Sequence, residues 1–425
     1  KNVFYKESLA GEDLTSPYLD GTLDLSKYEG ALWELARGCP FKCSYCYESK
    51  GEKKVRLLPM ERIEKELKLF AEKDVPQVFV LDPTYNANKE RALSLLKMMA
   101  KITPNTFYYF EARAEFIDRQ IAKAFTKLPC AVQFGLQSSD EEVLKKVNRS
   151  FNKAQFVKNI NILNQEGVIF GFDLIYGLPG DNLSGFCNSI DFALNLMPNN
   201  LELFCLSVLP GTDLFDDAKG YGLVFQEEAP YHVIETPGFS KADMGSASKI
   251  AAACNVFYNQ GRAVPWFTSL MRALQIKPSK YYKNFIAWYE SKKCNFAPKN
   301  GKKLSIEELS LACVSHKEVE KLQLDFLRDF LEGGFSFGKV DGKTGVKSSG
   351  KTGKKQYLLP TVENLIRFNG AISRVTADGT KEKLSLAFHP DDLASPYAAD
   401  MVFFAKNCGR FGCEVAIEMG SQGIW

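Results

Sequence analysis

Between residues 31 and about 207, short apolar runs alternate with amphipathic segments, and this alternation constrains the fold more than any other feature of the chain. The runs are ALWELA (31–36), QVFVLD (77–82), TFYYFE (106–111), AVQFGL (131–136), VIFGFDLIYG (168–177) and LELFCLSV (201–208). Between them Ile63, Leu67 and Phe70 recur at helical spacing, as do Phe156, Ile160 and Leu163 ahead of a stopping Gly167. Repeated strand–helix units require parallel strands, right-handed crossovers and strands covered on both faces. The expected fold is therefore α/β, a partial (β/α)6 TIM-type barrel, with any active site at the carboxyl ends of the strands.

The pattern changes near residue 240. A mainly helical C-terminal domain is expected over 241–332. It includes one helix that opens with the capping box Ser305-x-x-Glu308 and continues through Val319, Leu322, Phe326 and Phe330. Residues 333–355, GGFSFGKVDGKTGVKSSGKTGKK, read as a flexible linker. The Asp-Gly step in ADGT (377–380) is a hairpin signal, so residues 356–425 are expected to form a small β-containing tail. Residues 1–30 read as a linker and 31–240 as the barrel. Within the Lys-rich stretch, GVKSSGKT (345–352) matches the phosphate-loop expression, but a working loop follows a buried strand and opens a helix, and here neither flank exists. The lysines from 339 to 355 lack interleaved aromatics, so nucleic acid is not expected as a partner.

Composition narrows the setting. No apolar run approaches the roughly 18 residues of a membrane span, and the opening KNVFYKESLAGEDL lacks the apolar core of a signal peptide. Eleven cysteines, several single among apolar neighbours like Cys205 and Cys254, argue for free thiols in a reducing compartment, and a cytoplasmic location is expected. The net charge of +3 selects no class of partner.

Three thiols break the scatter: Cys39, Cys43 and Cys46 in RGCPFKCSYC (37–46). Sulfurs at this spacing can wrap one metal centre, and Gly38 and Pro40 keep the segment out of regular structure. Structural zinc takes four closed ligands, and no fourth Cys or His is near in sequence. An iron–sulfur cube on three cysteines leaves one iron open to a substrate or cofactor. Spacing alone leaves zinc and chance as alternatives. Cys408 and Cys413 form a pair without further ligands and read as plain thiols. His232 reads as a packed or surface residue.

The position of this loop, after the first strand, adds to the spacing. Cys39-x3-Cys43-x2-Cys46, with Tyr45 before the last cysteine, resembles the signature of radical S-adenosylmethionine (SAM) enzymes. The resemblance implies a 4Fe-4S cluster whose open iron is chelated by the amino and carboxylate groups of SAM. One electron then yields methionine and a 5′-deoxyadenosyl radical that takes hydrogen from a substrate. YFEAR, FGLQSSDEEVLKKVNR and FDLIYGLPG resemble the SAM-contacting segments of relatives of oxygen-independent coproporphyrinogen oxidase. They imply SAM contacts at Glu111, Gln137, Arg149 and Asp173, with Gly177 and Pro179 beside adenine. Where many members carry Gly-Gly-Glu, this chain has DPTYNANKERA (82–92), which makes Asp82 a further candidate.

That segment, with SPYLDGTL (16–23), VLPGTDLFDDAKGYGL (208–223) and APYHVIETP (229–237), resembles cobalamin-dependent radical SAM proteins that end in an uncharacterised helical domain. The likeness covers roughly residues 16 to 330. It implies methyl transfer with cobalamin as third cofactor, an electron donor such as flavodoxin or ferredoxin, and a cobalamin-binding domain upstream, since no Asp-x-His-x-x-Gly segment occurs in this chain. Three alternatives stay open: oxidation or rearrangement without methyl transfer, methylthio transfer to RNA, whose usual N-terminal Cys-bearing domain and small basic β-domain are not evident in this sequence, and a non-enzymatic haem or cofactor carrier. Tyr85 is a candidate hydrogen donor or a packing residue. No residue pattern identifies the substrate.

Overall fold

The computed structural model describes residues 14–48, 55–291, 304–312 and 314–331, together with 363, 366–367, 383–388 and 414–419. They fall into two compact units, residues 1–245 and 246–425.

The first unit contains strands β1 (Ala31–Trp33), β2 (Ala36–Arg37), β3 (Arg56–Leu57), β4 (Gln77–Val80), β5 (Phe107–Ala112), β6 (Cys130–Gln137), β7 (Phe170–Tyr176) and β8 (Asn200–Cys205). Six of them form one sheet in the order β1-β4-β5-β6-β7-β8, every neighbour parallel. This is the partial barrel, α/β throughout. Helices α1 (Met60–Glu72), α2 (Lys89–Ile102), α3 (Arg119–Phe125), α4 (Glu141–Lys146), α5 (Lys153–Glu166) and α6 (Leu183–Asn195) intervene. Ring contacts lock them to the sheet: Trp33 to Phe70 of α1, Phe110 to Phe125 of α3, Phe172 to Phe156 of α5, and Tyr176 to Phe186 of α6. Asn88, Asp118, Asp140, Asn152 and Asn182 each accept a backbone N–H at the start of α2 to α6. Such caps contribute about 1 kcal/mol apiece. Gly167 ends α5 in the left-handed conformation, φ 75°.

Two expectations about this unit need correction. The run ALWELA does not continue as one strand. The Asp82 carboxylate accepts the Leu35 and Ala36 N–H groups at 2.7 and 2.9 Å and turns the chain out of β1 into β2, which pairs antiparallel with β3. Nor are the strands buried on both faces. In β5 and β6 buried positions alternate with partly open ones. The inner face keeps Leu32 63% exposed, Phe79 45% and Phe204 50%.

Through residue 331 the second unit is helical, from the part of α8 (Lys241–Cys254; α7 is Asp213–Asp217 in the first unit) beyond residue 245 through a π-helical turn at Asn255–Gln260 to α9 (Val264–Leu274), α10 (Pro278–Ser291), α11 (Ile306–Leu311) and α12 (His316–Leu331). Its core is aromatic: the Phe257 ring meets Trp266, Phe267, Tyr281, Phe285 and Phe326 edge-on. Gln323 Nε2 donates to the carbonyls of Phe257 in the π-turn and of Gly261 just after it, and a side chain at Gly261 would collide with that amide. The single helix expected from Ser305 onward is two. Ser305 and Glu308 form the capping box of α11, whereas α12 starts afresh where Ser315 N–H and Oγ donate to Glu318. Strands β11 (Lys383–Phe388) and β12 (Glu414–Met419) pair in parallel; β9 (Val224–Phe225) and β10 (Val233–Glu235) form an arm of the first unit. The ADGT turn, the linker at 333–355 with its GVKSSGKT, and Cys408 and Cys413 lie outside the described residues. Among the described residues no helix is long and apolar enough to cross a membrane.

Candidate cofactor site

The cysteine loop emerges from β2 at Gly38, φ 90°. Backbone and side-chain tethers then fix it from two sides. Ser44 N–H donates to Val147 O at 3.1 Å and Asn148 Nδ2 to Lys42 O at 2.6 Å, both from the turn after α4. Leu214 N–H donates to Ser44 O at 2.9 Å, and inside the loop Cys46 N–H donates to Cys43 O at 3.0 Å.

Held this way, Cys39, Cys43 and Cys46 line a cavity of about 150 Å³ with Tyr45, Glu111, Gln137 and Arg149. Among the described residues no three His, Cys, Asp or Glu side chains stand close enough to share one metal ion. Three thiols spread around a cavity suit a cluster in which three irons each take one thiolate and a fourth stays open. Arg149 Nη1 stands 3.8 Å from Cys43 Sγ while Nη2 donates to Gly135 O. Burial raises the Tyr45 phenol, against the pull of Arg149, and burial likewise raises the Cys46 thiol. Gln137 ends β6 at φ 68° after a bulge, and its buried Oε1 has no hydrogen-bond partner. An orphaned carbonyl in a cavity floored by thiols and a guanidinium fits a polar cofactor with hydroxyl and carboxylate groups.

This cavity opens into a larger one of about 730 Å³ on the inner face of the sheet. Glu48, Pro83, Glu111 and Gln133 line both. Asp173 faces the larger cavity, and Gln133 Nε2 donates to its Oδ1 at 2.7 Å. Burial pushes the Asp173 carboxyl up to about 7; the Gln133 bond opposes this, and the neighbouring Glu111 and Glu202 add to it. Burial, then Glu48, raises Glu111 as well.

Four candidates read from the sequence are not among the residues lining either cavity: Asp82, Tyr85, Gly177 and Pro179. The Asp82 carboxylate is engaged at the β1–β2 junction, and burial lifts it to about 6 against the Leu35 and Ala36 bonds. Tyr85 is corrected to a packing residue: it is buried, its hydroxyl donates to Ala92 O at 3.1 Å, and its ring packs on Phe110 and Phe125. Gly177, φ 87°, faces Met244 and Val233. Several lining residues were missed. Thr84 Oγ1 sits 3.7 Å from Cys39 Sγ, and the Arg113 guanidinium lies 4.1 Å over the Phe41 ring. Polar residues inside otherwise apolar strands, such as Gln133, Asn200 and Glu202, were the available signal.

Residues 33–193 match the family model of the radical SAM superfamily, and residues 219–328 match that of a protein family of unknown function, DUF4080. The chain is 29% identical over 249 residues to the 2-(S-pantetheinyl)-carbapenam-3-carboxylate methyltransferase of Streptantibioticus cattleyicolor, covering 52% of this chain and 35% of that protein. It is 28% identical over 250 residues to the cobalamin-dependent radical SAM methyltransferase TokK of Streptomyces tokunonensis, covering 53% and 36%. It thus spans about a third of the length of these curated relatives. Among solved structures, the radical SAM methyltransferase TsrM of Kitasatospora setae, with cobalamin and a 4Fe-4S cluster bound, superposes with a TM-score of 0.43 at 14% identity over 48% of this chain and 43% of that one.

Proposed function

We propose that this chain, which belongs to the radical SAM superfamily through residues 33–193, holds a 4Fe-4S cluster on Cys39, Cys43 and Cys46 and binds SAM above it, to serve a cobalamin-dependent methyl transfer. The observation that carries the reading is one cavity, at the carboxyl ends of parallel strands, where three thiols meet the Arg149 guanidinium and the unpartnered Gln137 carbonyl. When bound, the cluster and SAM supply an electron and a 5′-deoxyadenosyl radical that removes hydrogen from a substrate.

The chain's own residues hold and orient. Arg149, anchored on Gly135 O, presents the rest of its planar donor fork to the methionine carboxylate. Gln137 Oε1 and the Asp173 carboxylate accept from ribose hydroxyls, with Gln133 fixing the Asp173 rotamer. Glu111, at the seam of the two cavities, attracts the cationic end of SAM. Methyl transfer and cobalamin enter on the support of the methyltransferase relatives; no residue of this chain is assigned to cobalamin.

The test is anaerobic reconstitution of the full-length gene product with iron, sulfide and cobalamin, then dithionite and SAM, with mass spectrometry for 5′-deoxyadenosine and S-adenosylhomocysteine. Both products are expected. Deoxyadenosine alone removes the methyl transfer and leaves radical chemistry; neither product, from protein carrying its cluster, overturns the reading.

A further inference from the structure

The larger cavity extends well past the residues given to SAM, and its remaining walls have a definite chemistry. On one side Phe79 and Tyr109, register partners on β4 and β5, stack at 4.2 Å with 9° between planes. The Phe79 ring is 45% exposed, and Leu81 and Phe204, both lining the cavity, are 51% and 50% exposed. Apolar surface left open inside a concave site, rather than scattered on a convex one, marks where a ligand's apolar body rests. On the other side stands Glu202 of β8, beside Asp173 in register. Asn200 Nδ2 donates to Glu202 Oε1 at 2.8 Å and so orients the carboxylate without neutralising it.

The charges are one-sided. Glu34, Glu48, Glu111, Asp173 and Glu202 line this cavity, and among the described residues no Lys, Arg or His does. Glu34 is already paired with Arg37 at 2.6 Å. Asp173 and Glu111 are taken by the SAM reading. Glu48 and Glu202 are left without an ion pair among the described residues; Glu48 sits at the seam with the smaller cavity, while Glu202 lines the larger one together with Phe79, Tyr109 and Phe204.

Resting on the reading of this cavity as a radical SAM substrate site, we infer that its substrate is an organic cation, an amine or amidine on a flat or apolar body, with the cation on Glu202 and the body against Phe79 and Tyr109. A carboxylate or phosphate beside Glu202 would meet like charge with no guanidinium or ammonium among the described residues lining this cavity to offset it. A cation gains a charge-assisted hydrogen bond to an acceptor already held by Asn200, and an aromatic face is compatible with positive charge nearby.

A binding titration tests this without turnover. The cluster-loaded protein, with S-adenosylhomocysteine filling the SAM part of the cavity, is titrated by calorimetry with 2-naphthylmethylamine, 2-naphthalenemethanol and 2-naphthoate, which share a ring system and differ in charge. The amine is expected to bind about tenfold more tightly than the alcohol, and the carboxylate more weakly than either. Glu202→Gln should bring the amine to the alcohol's affinity, and Phe79→Ala should weaken amine and alcohol together; unchanged thermal melts establish that both variants fold. Equal or tighter binding of the carboxylate overturns the inference, as does a folded Glu202→Gln variant that keeps the amine preference. Amine preference without SAM cleavage would sink the proposed function alone, and SAM cleavage without amine preference would sink this inference alone.

Discussion

Arg149 and Cys43 are 106 residues apart in sequence, yet the guanidinium Nη1 comes within 3.8 Å of the thiol sulfur. The same guanidinium is fixed by Gly135 O, so its direction is set by β6. Arg149→Lys keeps the charge and loses the planar fork. The expected result is SAM binding weakened by about tenfold to a hundredfold at unchanged cluster content, measured by equilibrium dialysis against iron and sulfide analysis. Unchanged SAM affinity would remove Arg149 from the site.

Cys43→Ala removes one of the three thiols around the smaller cavity. Iron content after reconstitution and 5′-deoxyadenosine formation should fall to background together. A variant that still cleaves SAM would defeat the cluster assignment.

Asp82 separates two kinds of importance. Its carboxylate takes the Leu35 and Ala36 N–H groups, so Asp82→Ala leaves buried donors unpaired and should cost about 1–3 kcal/mol, seen as a lowered denaturation midpoint. Asp82→Asn retains an acceptor at Oδ1 and should recover most of that loss. Equal loss in both would mean the charge itself is what matters.

The Asp173 carboxyl, lifted by burial to about 7 from an ordinary 3.8, binds protons more tightly in the native than in the unfolded chain. Its favourable contribution is therefore complete below 3.8 and is lost as pH rises through about 7. Asp173→Asn, still able to accept from Gln133, should melt higher than the unsubstituted protein at pH 8, with an advantage that shrinks towards pH 5. Thermal melts of cluster-free protein across that range decide it; a difference that does not change with pH would mean Asp173 is not the group that titrates.

Gly135 lies under the Gln137 amide, so a methyl group there would push on Gln137 Nε2, the free end of a flexible side chain, while meeting Arg149 Nη2 at an ordinary contact distance of 3.5 Å. Gly135→Ala should therefore change the melting temperature by only about 2 to 3 °C, because the colliding atom can move. SAM affinity should drop by about tenfold, because the same movement takes Gln137 out of the cavity. A large loss of stability with SAM affinity intact would reverse the argument.

The fold was legible because six short apolar runs alternate with segments such as Ile63, Leu67 and Phe70 at helical spacing, which demands parallel strands whichever face each residue takes. The inner face was misread because Phe79 and Tyr109 are apolar wherever they point: a hydrophobic residue lining a cavity and one filling a core look alike in sequence. Cysteine spacing marked the loop, but its fixing by Val147, Asn148 and Leu214 depends on contacts at long sequence separation. Tyr85 looked available beside a strand end; the short 3-10 turn Tyr85–Ala87 carries it into the core instead. Asp82 read as a cofactor-site candidate, not as the partner of two amides 46 and 47 residues away.

The tethers on the cysteine loop reach it through Lys42 O, Ser44 N and Ser44 O, none of which involves sulfur. The barrel thus contributes to the loop's course through bonds that leave all three sulfurs free for another partner. Part of the ordering entropy of the loop is met when the barrel forms, so a group bound by the thiols would have less of it to meet.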